Sequence, residues 1–213
     1  TEEFPDVLMI AEESREWPGV THPIEQGGLG FSHKWNLGWM HDSLGYLAHE
    51  PIHRQHHHNE MTFSQLYAYN ERFVLPLSHD EVVHGKGSLL GKMSGDDWQR
   101  FADLRNLLAW QWSMPGVPLL FMGAELAPWQ EWNDAAELPW HLADHPPHRG
   151  VHDLIQSMNG IADDWPALWE RDTEPAGFQW LDANDADHSM YAYTRWGLSG
   201  ANALVCLANF TPV

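Results

Sequence analysis

Short apolar runs punctuate a largely polar chain. Val7-Leu8-Met9-Ile10-Ala11, Phe73-Val74-Leu75-Pro76-Leu77 and Val117-Pro118-Leu119-Leu120-Phe121-Met122 have the length and continuity of strands, and Phe31 to Trp35 adds a further candidate. Between and after them the apolar positions move to helical spacing, over 36–49, over 97–113 behind a capping region at Ser94 and Asp96, and over 151–162. Strands alternating with helices predict a parallel sheet with helical crossovers. Beyond residue 176 the pattern becomes three short segments, 178–181, 189–196 and 201–210, separated by Asp, Asn and Gly. This predicts antiparallel hairpins. The expected organisation is therefore one domain over 1–176 and the beginning of a second, all-β domain over 177–213.

Acidic residues follow three of the strand-like runs: Glu12-Glu13, His79-Asp80-Glu81 and Glu125. The C-terminal edge of a parallel sheet is where ligands react, so three carboxylate clusters at equivalent points suit a paired acid and base for glycosidic cleavage. Any one of them, taken singly, also suits a helix cap or first turn. Successive side chains of an extended chain alternate faces, so only one of Glu12 and Glu13 can be the acid, and parity leaves the choice open.

Composition narrows the partners. With 11 Lys and Arg against 30 Asp and Glu, the formal charge of -19 repels phosphate backbones and anionic lipid, which argues against nucleic acid and membrane. Uncharged polysaccharide remains open, and 13 Trp offer flat faces for sugar rings or for the core. Cys206 is the only cysteine and lies in an apolar run, so a buried thiol and a reducing, cytoplasmic location fit. No run has the length of a membrane span. Both ends look cut from a longer protein, since Thr1 to Pro5 resembles no initiator segment and the chain stops just past a strand-like run.

Histidines invite a metal reading that the spacing does not support. His79 and His84 are five apart, roughly 140 degrees around a helix, whereas a zinc pair on a helix needs i and i+4. His53, His56, His57 and His58 have polar neighbours and no thiolates, which favours a solvated or substrate-facing loop. Gly27-Gly28-Leu29-Gly30 reads as a tight loop, and Gly85-Lys86-Gly87-Ser88 lacks the full phosphate-loop pattern.

Met9 to Ser14 (MIAEES), Gly27 to Met40 (GGLGFSHKWNLGWM), Leu77 to Lys86 (LSHDEVVHGK) and Phe121 to Glu125 (FMGAE) resemble bacterial glycogen (1,4-alpha-glucan) branching enzymes of the alpha-amylase superfamily. The likeness covers nearly the whole chain. It implies an α/β fold in which this chain is the C-terminal half of a (beta/alpha)8 barrel, strands 5 to 8, followed by the start of an all-beta C-terminal domain. The implied reaction is a retaining transglycosylation that cleaves alpha-1,4 links and forms alpha-1,6 branches in glycogen or amylose-like chains, with no cofactor and no metal. Residue by residue, the motifs imply Glu12 as general acid/base, Asp80 as transition-state stabiliser and His79 as a ligand of sugar hydroxyls. Trp35, Trp39, Trp129 and Trp132 are candidate aromatic walls, with Trp35 and Trp132 assigned to substrate. Trp35 and Trp39, four apart near a helix start, suit exterior packing equally. The family nucleophile, a fourth-strand aspartate, is expected upstream of Thr1, so these residues alone are expected to be inactive. An alpha-amylase-like hydrolase or trehalohydrolase, or a non-catalytic glucan-binding relative, are the alternatives.

Overall fold

The computed structural model describes residues 6–15 and 17–211. Thr1 to Pro5, Pro212 and Val213, on which the expectation of cut ends rests, lie outside the described residues. The first part of the chain runs β1 (Ile10–Ala11), β2 (His33–Trp35), α1 (Leu37–Ala48), α2 (His58–Phe63), β3 (Phe73–Leu77), α3 (Leu89–Lys92), α4 (Asp97–Ser113), β4 (Val117–Leu120) and α5 (Pro146–Asp164). Then follow β5 (Phe178–Asp185), β6 (Met190–Trp196) and β7 (Ala203–Asn209). β1 to β4 form a parallel sheet in sequence order, and β5 to β7 an antiparallel meander. The α/β class and the change from parallel to antiparallel pairing agree with the periodicity.

Local chemistry explains most boundaries. Asn36 caps α1 by accepting from the Trp39 amide at 2.9 Å and is itself held by the Tyr67 hydroxyl at 3.2 Å. Gly38 is required beneath that hydroxyl, because a Cβ there would lie 2.4 Å from it. Asp96 and Gln99 make a reciprocal capping box at the start of α4. Ser94, expected to share that cap, instead donates to the His49 carbonyl. α5 begins five residues before the apolar periodicity, because Pro146 and Pro147 already have helical φ and no needed amide.

Two strands are shorter than their apolar runs. β1 keeps only its last two residues: it is the edge of the sheet among the described residues, and Leu8 is 67% exposed. β4 stops at Leu120, where the chain turns towards Gly123 with φ 85°, although the Phe121 amide still reaches the Leu77 carbonyl. Gly28 sits in the expected tight loop, where a Cβ would lie 2.2 Å from the His22 carbonyl oxygen.

A single apolar cluster runs through the molecule. Leu75 and Leu77 meet Leu104, Leu107 and Leu108 of α4 within it, and Trp110 on the same helix packs against Trp180, Tyr191, Tyr193 and Phe210 of the meander. Cys206 is a half-buried free thiol, its pKa pushed up by burial. Arg54 is fully buried and donates to Asp103, to Ser94 and to the carbonyls of His49, Leu47 and Phe210. The histidine run is not uniformly solvated as expected. His58 is buried because its ring stacks on Tyr191 at 4.2 Å and its Nε2 donates to the Ala183 carbonyl.

Removing one partner of a buried pair strands the other charge. Arg54→Met in the full-length protein is expected to cost about 3–5 kcal/mol in urea unfolding, and Asp103→Leu added to it to recover part of that loss. Burial also pushes the His58 imidazole below its ordinary value. The unfolded chain therefore takes up the proton first, and stability falls as pH drops through about 6.5. His58→Gln is expected to make that fall shallower in melts recorded across the window.

Candidate active site

Parallel pairing places residues in register on the same face of the sheet, and neighbours on one strand on opposite faces. Ala11 pairs with Lys34, Lys34 with Phe73, and Trp35 with Val74. Phe73, Leu75 and Leu77 share the face that joins the helical core, so Lys34 points to that side and Trp35 to the other. The position after Ala11 falls in the row of Trp35. Glu12 and Glu13 follow directly after the end of β1, where strand alternation no longer fixes their directions.

The contacts separate the two. Lys34, only 10% exposed, donates through Nζ to Glu13 Oε2 at 2.8 Å and to the Arg15 carbonyl at 3.1 Å. The bond from Lys34 holds the Glu13 carboxyl below its ordinary value. Glu13 therefore anchors the chain leaving β1, while Glu12 stays exposed with no hydrogen-bond partner among the described residues.

The same division occurs after β3. Ser78 caps the short 3-10 turn His79–Glu81, and Glu81 folds back to accept from the Ser78 amide at 2.6 Å and hydroxyl at 2.8 Å. Glu81 is buried. Asp80 and His79 are left about half exposed, with His79 Nε2 3.4 Å from Asp80 Oδ1. Glu125, the third acidic cluster, sits half-buried in the turn Ala124–Leu126.

A cavity of about 720 Å³ opens between the loops that follow β3 and β4. His79, Val82, Phe121 and Trp132 contribute to its wall. Trp132 meets Phe121 edge-on at 5.2 Å, and His79 lies 5.9 Å from the same ring. His79 and Trp132 are thus brought together, whereas Glu12, Asp80, Glu125 and Trp35 do not line this cavity. Trp39 is 1% exposed in the core and is no candidate wall. Trp129 packs edge-on against Phe101 and the core, where its surroundings are apolar.

Glu131 was not apparent from the pattern. Its Oε2 accepts from the amides of Gly85 at 2.8 Å and Gly87 at 3.2 Å, in a loop where His84, Gly85 and Gly87 all have positive φ. The apparent phosphate loop is a small backbone concavity filled by a carboxylate of the same chain. Its one sequence signal was the glycine pair. Together with the bond from the Trp132 amide to the Val82 carbonyl at 2.9 Å, it joins the two loops around the cavity.

No protein-family model matches the chain. Among solved structures it is similar to pullulanase from Paenibacillus barengoltzii, with TM-score 0.69 and 16% identity over 99% of this chain and 37% of that one. It is also similar to the alpha-amylase from H. orenii, with TM-score 0.60 and 12% identity over 98% of this chain and 44% of that one. At such identities the likeness defines the fold alone: an α/β fold like the catalytic region of alpha-amylase-family enzymes. The sequence relatives are more specific. The chain is 56% identical over 211 residues to the 1,4-alpha-glucan branching enzyme GlgB of Pseudomonas putida, covering 99% of this chain and 28% of that protein. It is 57% identical over all 213 residues to the enzyme of the same name from Cupriavidus pinatubonensis, again 28% of its length. The chain spans little more than a quarter of these curated relatives, and it is homologous from end to end to a segment of bacterial branching enzymes. Among the described residues no helix is long and apolar enough to cross a membrane.

Losing Glu131 would leave two loop amides without their acceptor. Glu131→Ala is expected to cost about 1 kcal/mol and to speed proteolytic cleavage within residues 84–87 of the full-length protein, read by mass spectrometry of the fragments. Unchanged cleavage would show that the loop holds its shape without this carboxylate.

Proposed function

We propose that the chain is part of a 1,4-alpha-glucan branching enzyme acting on glycogen and amylose-like chains by retaining transglycosylation. The observation that carries this reading is the 56–57% identity, over 99–100% of the chain, to proteins of that name. Glu12 is the general acid/base: it protonates the departing O4 while a nucleophile outside these residues attacks the anomeric carbon, and a covalent glycosyl-enzyme forms. As a carboxylate, Glu12 then takes the proton from an acceptor C6 hydroxyl, and the transferred chain becomes an alpha-1,6 branch.

The geometry supports these assignments through the carboxylates that folding leaves over. Glu12 is exposed directly after β1, while Glu13 is committed to Lys34. Asp80 stabilises the oxocarbenium-like transition state, and the adjacent His79 and the cavity-lining Trp132 bind sugar. Trp35, at the end of the adjacent strand β2, offers a further ring for sugar. In this reading β1 to β4 are strands 5 to 8 of a (beta/alpha)8 barrel, with residues 1–176 in the barrel and 177–213 opening a C-terminal β domain. The chemistry needs no cofactor, and the enzyme works in the cytoplasm.

Glu12→Gln is nearly isosteric, so the full-length variant is expected to keep its melting temperature and lose about 10²–10⁴-fold in kcat. Near-normal turnover would remove Glu12 from the role. Product analysis separates branching from hydrolysis: wild-type enzyme is expected to form debranching-sensitive alpha-1,6 links and to shift iodine staining. Reducing sugar released without new branches would make it a hydrolase.

A further inference from the structure

The fold splits the histidine run into residues with different fates. His53 and His56 face solvent and His58 turns into the core, while His57 enters a cluster with two residues from elsewhere. Its ring stacks on His49 with centroids 3.5 Å apart and planes 20° from parallel. His57 Nδ1 lies 2.8 Å from Glu60 Oε1, and His49 Nε2 lies 3.9 Å from the same oxygen. One donor atom from each of the three falls within 4.8 Å of the others, and all three side chains are half-buried. We propose that His49, His57 and Glu60 bind one divalent transition-metal ion, for which Zn²⁺ is the best chemical match.

Imidazole nitrogens with a carboxylate oxygen suit zinc and its neighbours, whereas calcium and magnesium prefer all-oxygen shells. Tetrahedral zinc at its usual bond lengths holds its donors about 3.3 Å apart. The observed 2.8 and 3.9 Å separations fall on either side of that spacing. Binding therefore requires the stacked His49 and His57 rings to turn out of their parallel arrangement so that both lone pairs converge on the ion. Half-burial leaves room for a water as fourth ligand. Arg54, which donates to the His49 carbonyl, is already committed to Asp103.

The ligands also come from fixed points. His49 is the C-cap of α1, its carbonyl held by Arg54 and Ser94, and His57 is the residue before α2. A bound ion ties the end of α1 to the start of α2 and braces the Arg54 centre below. This role is structural and separate from glycosyl transfer, so it departs from the expectation of no metal while leaving the proposed chemistry metal-free.

The test uses tag-free full-length protein stripped with chelator and titrated with ZnCl₂ by calorimetry. One equivalent is expected to bind and to raise the melting temperature. Changes that merely misorient a ligand already cost 10–100-fold in affinity, so His49→Ala, His57→Ala and Glu60→Ala are each expected to weaken binding by roughly tenfold or more and to remove the thermal shift. Glu60→Gln, which keeps the shape of the side chain, serves if Glu60→Ala misfolds. His53→Ala and His56→Ala are expected to change neither reading. The proposal is overturned by absence of a stoichiometric site, by undiminished binding in the ligand variants, or by equal loss in His53→Ala or His56→Ala.

Discussion

Gln111 donates from one side-chain nitrogen to the carbonyls of Leu75 at 2.8 Å and Leu119 at 2.9 Å, which pins α4 to two neighbouring parallel strands. The next residue back, Trp110, lies about 100 degrees around the helix and is enclosed by the aromatic rings of β5, β6 and Phe210. At the end of the helix, Ser113 bonds the Tyr193 hydroxyl and its carbonyl accepts from Arg195. α4 is therefore buried against both sheets, and each depends on it for its core. Because β3 and β4 are held together at one height, the loops that leave their C-terminal ends start from a rigid base. That base is what allows Trp132 and His79 to meet around Phe121.

The candidate site follows from how folding distributes negative charge. A carboxylate buried against the fold must find donors, and two of the acids have done so: Glu13 with Lys34, and Glu81 with the amide and hydroxyl of Ser78. Their sequence neighbours stay open to solvent, Glu12 directly after β1 and Asp80 in the capped turn. They are the acids that the fold leaves open to solvent, and the proposed function gives them the chemistry. Glu131 follows the same logic at the cavity wall, since its charge is spent on loop amides and not on a ligand.

Much of this was legible in the chain. The spans of β3 and α4 match the apolar runs residue for residue, because hydrophobic period and end caps depend on side chains only a few positions apart. The motifs around Glu12 and His79-Asp80 gave the kinship that the relatives share, yet pattern alone could not separate Glu12 from Glu13. The resemblance chose Glu12, and the fold adds that Glu13 is held by Lys34, which lies 21 residues away on the adjacent strand. Trp39 and Trp129 read as possible sugar platforms, but Trp39 lies in the core and the half-buried Trp129 packs against Phe101. Trp132, a few residues along the same loop as Trp129, faces the cavity.

The sequence by itself determined the α/β class, the longer helices, the positions of the strands, the change to antiparallel pairing and the chemical families of the candidate residues, since all of these follow from local periodicity and short motifs. Tertiary structure decided which member of each acidic pair stays free and which tryptophans face the cavity. It also separated His57 from His58 and brought His49 and Glu60 to meet it. These outcomes depend on partners distant in sequence, and a side chain's role in a folded protein is set by what it is forced to sit beside.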